Sequence, residues 1–382
     1  MNVKAVIEAR AKVAQRVEQV KNFYSRYQKY APVTAFAVGF IYDSLTLTRI
    51  DQWFDNAILL LYTALAGVLI TILGMVERGR IRRPIILNHL DFIANAIHFF
   101  LGGLLSSYVV FYFKSASVGK SFIFVCLLTI LLLVNEFFAH RLRNLKFLCA
   151  IYFFCCYAFL TFFLPVATHV MSQAMFITSG LLSLIITSTI VTVVYNGGFK
   201  KFRREYIDIG WPQAVIYIAI VIFYFQNWIP PVPLALKDGG IYRSVRRVAE
   251  KYELRYSPGS WWQFWKKDES NFAYAASDTV YCFASVFAPT QLRERVFHHW
   301  QFKSASGKWQ TTDKLSYKIV GGRDGGYRGY SYKKNFELRP EQGTPQEWRI
   351  EVKTAHGLLL GRIHFEITPR TKELTRLQTA VR

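Results

Sequence analysis

Asn88, Asp91, Asn95 and His98 recur at offsets of three, four and three within an otherwise apolar stretch. On a helix this spacing lines up amide, carboxylate and imidazole on one face. Such groups are costly against lipid, so the stripe should turn toward other helices or water, where it could carry a proton, an ion or a metal. Asp43, Asp51, Asp55, Asn135, Glu136, His140 and His169, on or beside neighbouring apolar stretches, are candidate partners. The same residues have a structural reading, as hydrogen bonds that join helices and as acids reaching for the interface.

The carboxyl-terminal third offers a different chemistry. Arg328, Tyr330, Tyr332, Lys333 and Lys334 fall together, His298, His299 and Trp300 form a second group, and Arg349 follows Trp348. Flat rings stack on sugar faces, and guanidinium forks hold carboxylates or phosphates. His299, Arg328, Tyr330, Tyr332, Lys333 and Arg349 are therefore candidate binding residues. Trp300 and Trp348 alternate with apolar neighbours and are expected in a core, with His298 on their face as a hydrogen-bonded core residue. Catalytic signatures are missing: there is no Gly-x-Ser-x-Gly elbow, His-Glu-x-x-His zinc helix or Cys-x-x-Cys pair. Ser117-Val118-Gly119-Lys120-Ser121 ends like a phosphate loop but lacks the upstream glycine and the strand before it. The chain reads as non-enzymatic, with no cofactor and no metal.

These groups must be positioned by apolar elements. Crossing a bilayer takes roughly 20 apolar residues as helix. The pattern predicts seven spans: 31–48, 54–75, 86–113, 121–139, 147–167, 173–196 and 212–229. The links between them alternate in charge. Arg78, Arg80, Arg82 and Arg83 fill one, Arg141, Arg143 and Lys146 another, Lys200, Lys201, Arg203 and Arg204 a third, while the intervening links are poor in base. Short basic loops stay cytoplasmic. The expectation is a multi-pass protein of a bacterial inner membrane with its amino end in the cytoplasm and its carboxyl-terminal domain periplasmic or extracellular. The net charge of +22 gathers beside apolar spans, so the partner it indicates is the lipid bilayer and its anionic head groups, not nucleic acid. Four of the five cysteines lie in spans, and Cys282 alone cannot form an internal bridge in the tail.

The ends complete the plan. Residues 1–30 read as a basic amphipathic helix on the membrane surface, with Val6, Val13, Val17, Val20, Tyr24 and Tyr27 on one face. No cleavable signal peptide opens the chain. Pro230, Pro231 and Pro233 end the last span, Asp238-Gly239-Gly240 reads as a flexible joint, and 231–278 reads as linker with a short basic helix at 241–255 (Arg243, Arg246, Arg247, Lys251). Trp261, Trp262 and Trp265 suit either the head-group level or a packed domain edge. Over 279–370 the pattern alternates with period two, from Val280, Cys282, Ala284 and Val286 to Leu359, Gly361, Ile363, Phe365 and Ile367, between Gly-rich turns. That predicts a small antiparallel β-sandwich, with 371–382 as a basic tail.

The runs Val280-Tyr281-Cys282-Phe283, Val296-Phe297-His298-His299-Trp300, Tyr327-Arg328-Gly329-Tyr330-Ser331-Tyr332-Lys333-Lys334, Trp348-Arg349-Ile350-Glu351-Val352 and Gly357-Leu358-Leu359-Leu360-Gly361 together resemble Domain of Unknown Function 2914 over residues 279–368. Where that family usually carries Trp in its arginine–aromatic–Ser run, this chain has Tyr330, after Gly329. The resemblance implies a bacterial envelope-associated module, often found at the end of multi-span proteins, and brings no activity. The expected role is to present a β-sandwich that binds an envelope glycan or a partner protein. The alternative is a transporter or intramembrane enzyme that uses the polar stripe of the third span.

Overall fold

The computed structural model describes residues 31–47, 49–115, 121–137, 144–195, 203–229, 232–259, 266–323, 325–336, 345–370 and 377–382. The amphipathic segment 1–30, His140, the phosphate-loop look-alike at 117–120, Lys200, Lys201, Pro230, Pro231 and Trp261, Trp262 and Trp265 lie outside the described residues. Two compact units make up the chain, residues 1–48 and 49–382. The first contributes α1 (Ala31–Thr46). At about 1.5 Å per residue this helix is shorter than the ~30 Å hydrocarbon core. Its last turn is stitched by hydroxyls, Ser44 Oγ donating to Phe40 O at 2.7 Å and Thr46 Oγ1 to Tyr42 O at 2.8 Å.

The second unit opens with α2 (Trp53–Glu77), a one-turn α3 (Pro84–Leu87), α4 (Leu90–Ser115), α5 (Ser121–Phe137), α6 (Leu145–Thr168), α7 (Gln173–Tyr195) and α8 (Arg203–Phe225). Among the described residues, α2, α4, α6, α7 and α8 are long and apolar enough to cross a membrane, and α5 is apolar but shorter. Two boundaries differ from the sequence pattern. The third span is not one helix, because Pro84, lacking an amide proton, starts a separate turn that ends at Asn88, whose amide bonds Pro84 O at 2.9 Å. The last helix begins at Arg203, so Pro212 lies inside it and not at its start; helices of this class tolerate an internal proline.

Helix α6 is the hub, buried along most of its length and packed against α2, α4, α7 and α8. Glycines let the backbones close in, as small residues do where lipid supplies no hydrophobic drive. A Cβ at Gly67 of α2 would stand 2.4 Å from the Tyr152 hydroxyl of α6, and one at Gly180 of α7 would stand 2.3 Å from the Tyr217 ring of α8. Tyr152 uses that hydroxyl to bond Thr63 O at 3.1 Å.

The bundle's two ends are chemically distinct. At one end lie Arg78, Arg80 and Lys146. Arg80 donates to the carbonyls of Val193 and Val194, the last-turn acceptors that α7 cannot satisfy internally. Arg78 covers the Tyr195 ring at 3.9 Å and Lys146 pairs with Asp208 at 2.8 Å. The β module meets the other end. There Asp51, just before α2, accepts from Thr290 N at 2.8 Å and Thr290 Oγ1 at 2.9 Å. Gln173, at the start of α7, donates to His356 O at 3.2 Å, and Asn227, after α8, accepts from Leu359 N at 3.4 Å. Burial raises the Asp51 pKa, but hydrogen bonds from Arg49 and Thr290 outweigh it and hold the carboxylate below its ordinary range.

Among the described residues the module has eleven strands: β1 (Ala235–Tyr242), β2 (Ser244–Val248), β3 (Lys251–Tyr256), β4 (Asn271–Tyr274), β5 (Val280–Phe287), β6 (Arg293–Lys303), β7 (Trp309–Val320), β8 (Tyr327–Lys333), β9 (Gln346–Thr354), β10 (Leu359–Pro369) and β11 (Gln378–Val381). They form three sheets, ordered β4-β10-β9-β6-β7, β1-β5-β8 and β11-β3-β2. All pairings are antiparallel except β4 with β10. Three sheets thus stand where the residue pattern predicts a single sandwich. The segment expected as linker and basic helix carries β1 to β4, and the expected basic tail carries β11. Arg246 and Arg247 sit in a hairpin opposite Glu253 and Tyr252. Arg243 is drawn inside, paired with Glu269 at 2.9 Å and stacked on Phe272 at 4.1 Å. Gly239 and Gly240 are not a joint but a close approach: added Cβ atoms would meet Ile363 Cδ1 at 2.8 Å and Asp268 Cβ at 2.5 Å.

The sheets lock through one polar knot. His298, fully buried, bonds Ser331 Oγ through Nδ1 at 2.8 Å and Tyr317 Oη through Nε2 at 3.1 Å, and Trp300 Nε1 donates to the same Ser331 Oγ at 3.1 Å. Trp300 and Trp348 are in the core as their alternation predicts. On the far side of the central sheet, Phe283 and Tyr242 of that sheet pack with Val245, Leu254, Tyr256 and Ala380 of the third.

Candidate functional site

Within the bundle the polar stripe does not converge. Asn88 ends α3, Asp91 and Asn95 lie on the exposed face of α4, and His98 is buried. His98 Nδ1 bonds Asn135 Oδ1 at 2.9 Å, and Asn135 Nδ2 donates back to His98 O at 3.0 Å, a closed pair that ties α4 to α5. Glu136 is half-buried next to it on α5, close to Gly102 of α4. Asp43 belongs to the first unit, on α1. Asp55, in the first turn of α2, lies at the β-module end. Among the described residues, no group of His, Cys, Asp and Glu has the arrangement of a metal site.

The candidate residues of the tail separate onto two faces. His299 and Arg349 share the outer face of the five-stranded sheet, because both occupy outward positions on β6 and β9. At the centre of that face Glu351, 3% exposed, meets Lys353 at 2.6 Å, Arg362 at 2.8 Å and Arg349 at 3.3 Å. Burial raises its pKa, but the hydrogen bonds from Lys353 and Arg362 outweigh burial and keep it ionised below the ordinary range. Arg349 is further occupied by Gln301 Oε1 at 2.7 Å and the Trp309 ring at 4.2 Å. His299, opposite Lys314 and Glu351, has its pKa lowered by burial and by the Lys353 and Lys314 charges. Burial and the Arg349 and Arg362 charges lower that of His364. The centre of this face is a self-paired network in which Glu351 engages Lys353, Arg362 and Arg349.

Arg328, Tyr330 and Tyr332 lie on β8, on the side of the central sheet that faces the small third sheet. Register puts Tyr330 opposite Phe283 and Tyr332 opposite Tyr281. Tyr281 and Tyr332 have ring centroids 5.8 Å apart, Tyr281 and Tyr330 6.3 Å, and Tyr330 and Tyr252 of β3 6.4 Å. Tyr330 and Tyr332 are 44% and 55% exposed, so the ladder offers open ring faces. Beside it opens a cleft of about 350 Å³ lined by Arg247, Glu250, Arg323, Gly325, Gly326 and Arg328. Arg328 Nη1 donates to Glu250 O at 3.1 Å, which orients one of the three guanidinium groups. Gly326 needs its freedom here: its φ is +79° and a Cβ would meet the Val286 backbone at 2.8 Å. Three guanidinium groups beside open tyrosine rings make a surface for an acidic, ring-bearing ligand.

Lys333 stands apart from this surface. It pairs with Asp313 at 2.5 Å and lies over the Phe336 and Trp348 rings at 5.6 and 5.8 Å, so it closes the end of the core. Sequence reasoning missed Arg247 and Arg323, which come from β2 and from the loop before β8, and Tyr252 and Tyr281, which register alone brings to Tyr330.

Residues 293–367 match the family described as "Protein of unknown function (DUF2914)". The matched stretch runs from the first residue of β6 into β10. It takes in Arg323, Arg328 and the exposed tyrosines of β8 and leaves out Arg247 and the whole of β1 to β5. No curated protein matches the chain. Among solved structures, the Pseudomonas fluorescens alkylpurine DNA glycosylase AlkC, bound to DNA containing an abasic site analog, is 10% identical over 75% of this chain and 82% of its own, with a TM-score of 0.20. A likeness at that score carries no weight for fold or function.

Proposed function

We propose that this chain is a non-catalytic, multi-pass protein of a bacterial cytoplasmic membrane that holds its β module on the extracytoplasmic side, where the module binds an acidic envelope glycan or a partner protein. In this reading α1 and α5 join the five long helices to make seven crossings, and the amino end is cytoplasmic. The observation that carries it is the chemical division of the bundle. Arg78, Arg80 and Lys146 sit at one end and the module is bonded to the other through Asp51, Gln173 and Asn227. Short basic links remain where the ribosome works, so the module goes to the opposite side.

The arginine cleft and the tyrosine ladder supply the binding surface. The closed His98–Asn135 pair and the outward Asp91 and Asn95 favour the anchor over a transporter or intramembrane enzyme. Two measurements test the reading. Protease added to intact spheroplasts should cut the module, and resistance alongside an active protease and demonstrable protein would reverse the orientation. Purified full-length protein in detergent should bind acidic cell-wall glycan at least tenfold more tightly than its Arg247→Gln/Arg323→Gln/Arg328→Gln variant; equal binding by both removes the cleft from the function.

A further inference from the structure

A second cleft, of about 570 Å³, lies where the module meets the bundle. The α6–α7 turn, His169 to Met171, forms one wall. The opposite wall is the bundle-facing end of the β6–β7 hairpin, and the β9–β10 turn closes the cleft with His356. Register makes the hairpin wall cationic: Arg293 stands opposite Val320 and Arg295 opposite Lys318, so all four project from the outer face of the sheet, while Ile319 turns into the core.

Three features give this cleft a ligand class. First, among the described residues Arg293, Arg295 and Lys318 form no ion pair, unlike the engaged cations around Glu351. Glu294, the one acid in the lining, points an oxygen at the Arg295 amide at 3.0 Å. Second, each wall carries an open apolar side chain: Val170 is 54% exposed and Val320 48%. Third, the cleft sits level with the end of α6, where a helix long and apolar enough to cross a membrane stops. His169, with φ 57°, turns the chain there and lines the cleft. Cations without an ion pair beside open valines at a helix end match an amphiphile whose phosphate lies at the head-group level.

We infer that this junction cleft binds the phosphate head group of an anionic phospholipid, with Arg293, Arg295 and Lys318 on the phosphate and Val170 and Val320 against the glycerol and first methylenes. The inference rests on the helices crossing a bilayer. It does not depend on which side the module occupies, so a reversed orientation would leave it standing.

The test uses full-length protein in neutral detergent, titrated with short-chain phosphatidylglycerol, with phosphatidylcholine of equal chain length, and with inorganic phosphate, and read by native mass spectrometry. Phosphatidylglycerol should be retained at lower concentrations than either of the others. Each cation strengthens contact with an anionic surface about fivefold, so Arg293→Gln/Arg295→Gln/Lys318→Gln should weaken phosphatidylglycerol binding on the order of a hundredfold. Lys303→Gln/Lys308→Gln, at the far end of the same hairpin, should leave it unchanged. Equal retention by the triple variant, with circular dichroism matching the parent, overturns the site. Inorganic phosphate binding as tightly as the lipid overturns the lipid as ligand. Phosphatidylcholine binding as tightly overturns the role of charge.

Discussion

The buried knot around His298 makes stability depend on pH in a way that can be isolated. His298 is fully buried, and burial, aided by the neighbouring His299 charge, lowers its pKa to about 4, against about 6.5 in an unfolded chain. The folded imidazole is therefore neutral, bonded to Ser331 and Tyr317. As the pH falls below about 6.5 the unfolded chain takes up a proton that the folded one refuses, so unfolding is favoured. The contribution is complete above pH ~6.5 and is lost progressively down to about pH 4, by about 3 kcal/mol in all. Native-state hydrogen exchange of the β6 and β8 amides in the full-length protein measures it, after correction for intrinsic exchange rates. The control is His298→Gln, which keeps a hydrogen-bonding end and cannot titrate. It should begin less stable by about 1–2 kcal/mol and then lose about 3 kcal/mol less than the parent between pH 6.5 and 4. Carboxylates titrating in the same window act on both proteins and cancel in the difference. If the two curves run parallel, the imidazole does not carry the effect and the reasoning fails.

Two further perturbations probe the helices and the joint. Gly67→Ala places a methyl against the Tyr152 hydroxyl and should cost about 1–3 kcal/mol by parting α2 from α6, seen as a lower melting temperature of the bundle in detergent; an unchanged melt means that the helices do not meet there. Asp51→Ala removes the acceptor of both Thr290 bonds and should raise amide exchange at Thr290–Leu292 at least tenfold while the Ser331 region keeps its protection. Uniform exchange across both regions would show that this contact does not seat the module.

Much of the architecture can be read from residue pattern. Strands β5 to β10 follow from the period-two alternation of their apolar residues, and His298 declares itself a core residue by sharing a face with Val296 and Trp300. The segment after the last helix misleads for a physical reason. Arg243, Arg246, Arg247 and Lys251 fall at helix-like offsets, yet the first is pulled inward by Glu269 and the next two belong to a hairpin whose register only the fold reveals. Gly239 and Gly240 look like freedom and are in fact crowding. The polar stripe looked continuous because residue offsets cannot show that Pro84 restarts the helix and leaves Asn88 in a turn. The arginine cleft was illegible as a unit, since Arg247 lies on the third sheet and Arg328 on the central one, and no local motif joins them.

The parallel pair of β4 and β10 carries a consequence for assembly. Phe272 lies beside Ile367, and most of the module's chain emerges between them. Pairing between such distant segments is slow to form. Until β10 arrives, β4 has no strand to lie against and β9 lacks one of its two neighbours. A newly made chain must pass through an interval with those edges bare, the state in which sheets are most prone to join the wrong partner. Conditions that slow synthesis of this last third should therefore raise aggregation well before they reduce the amount of helical bundle inserted.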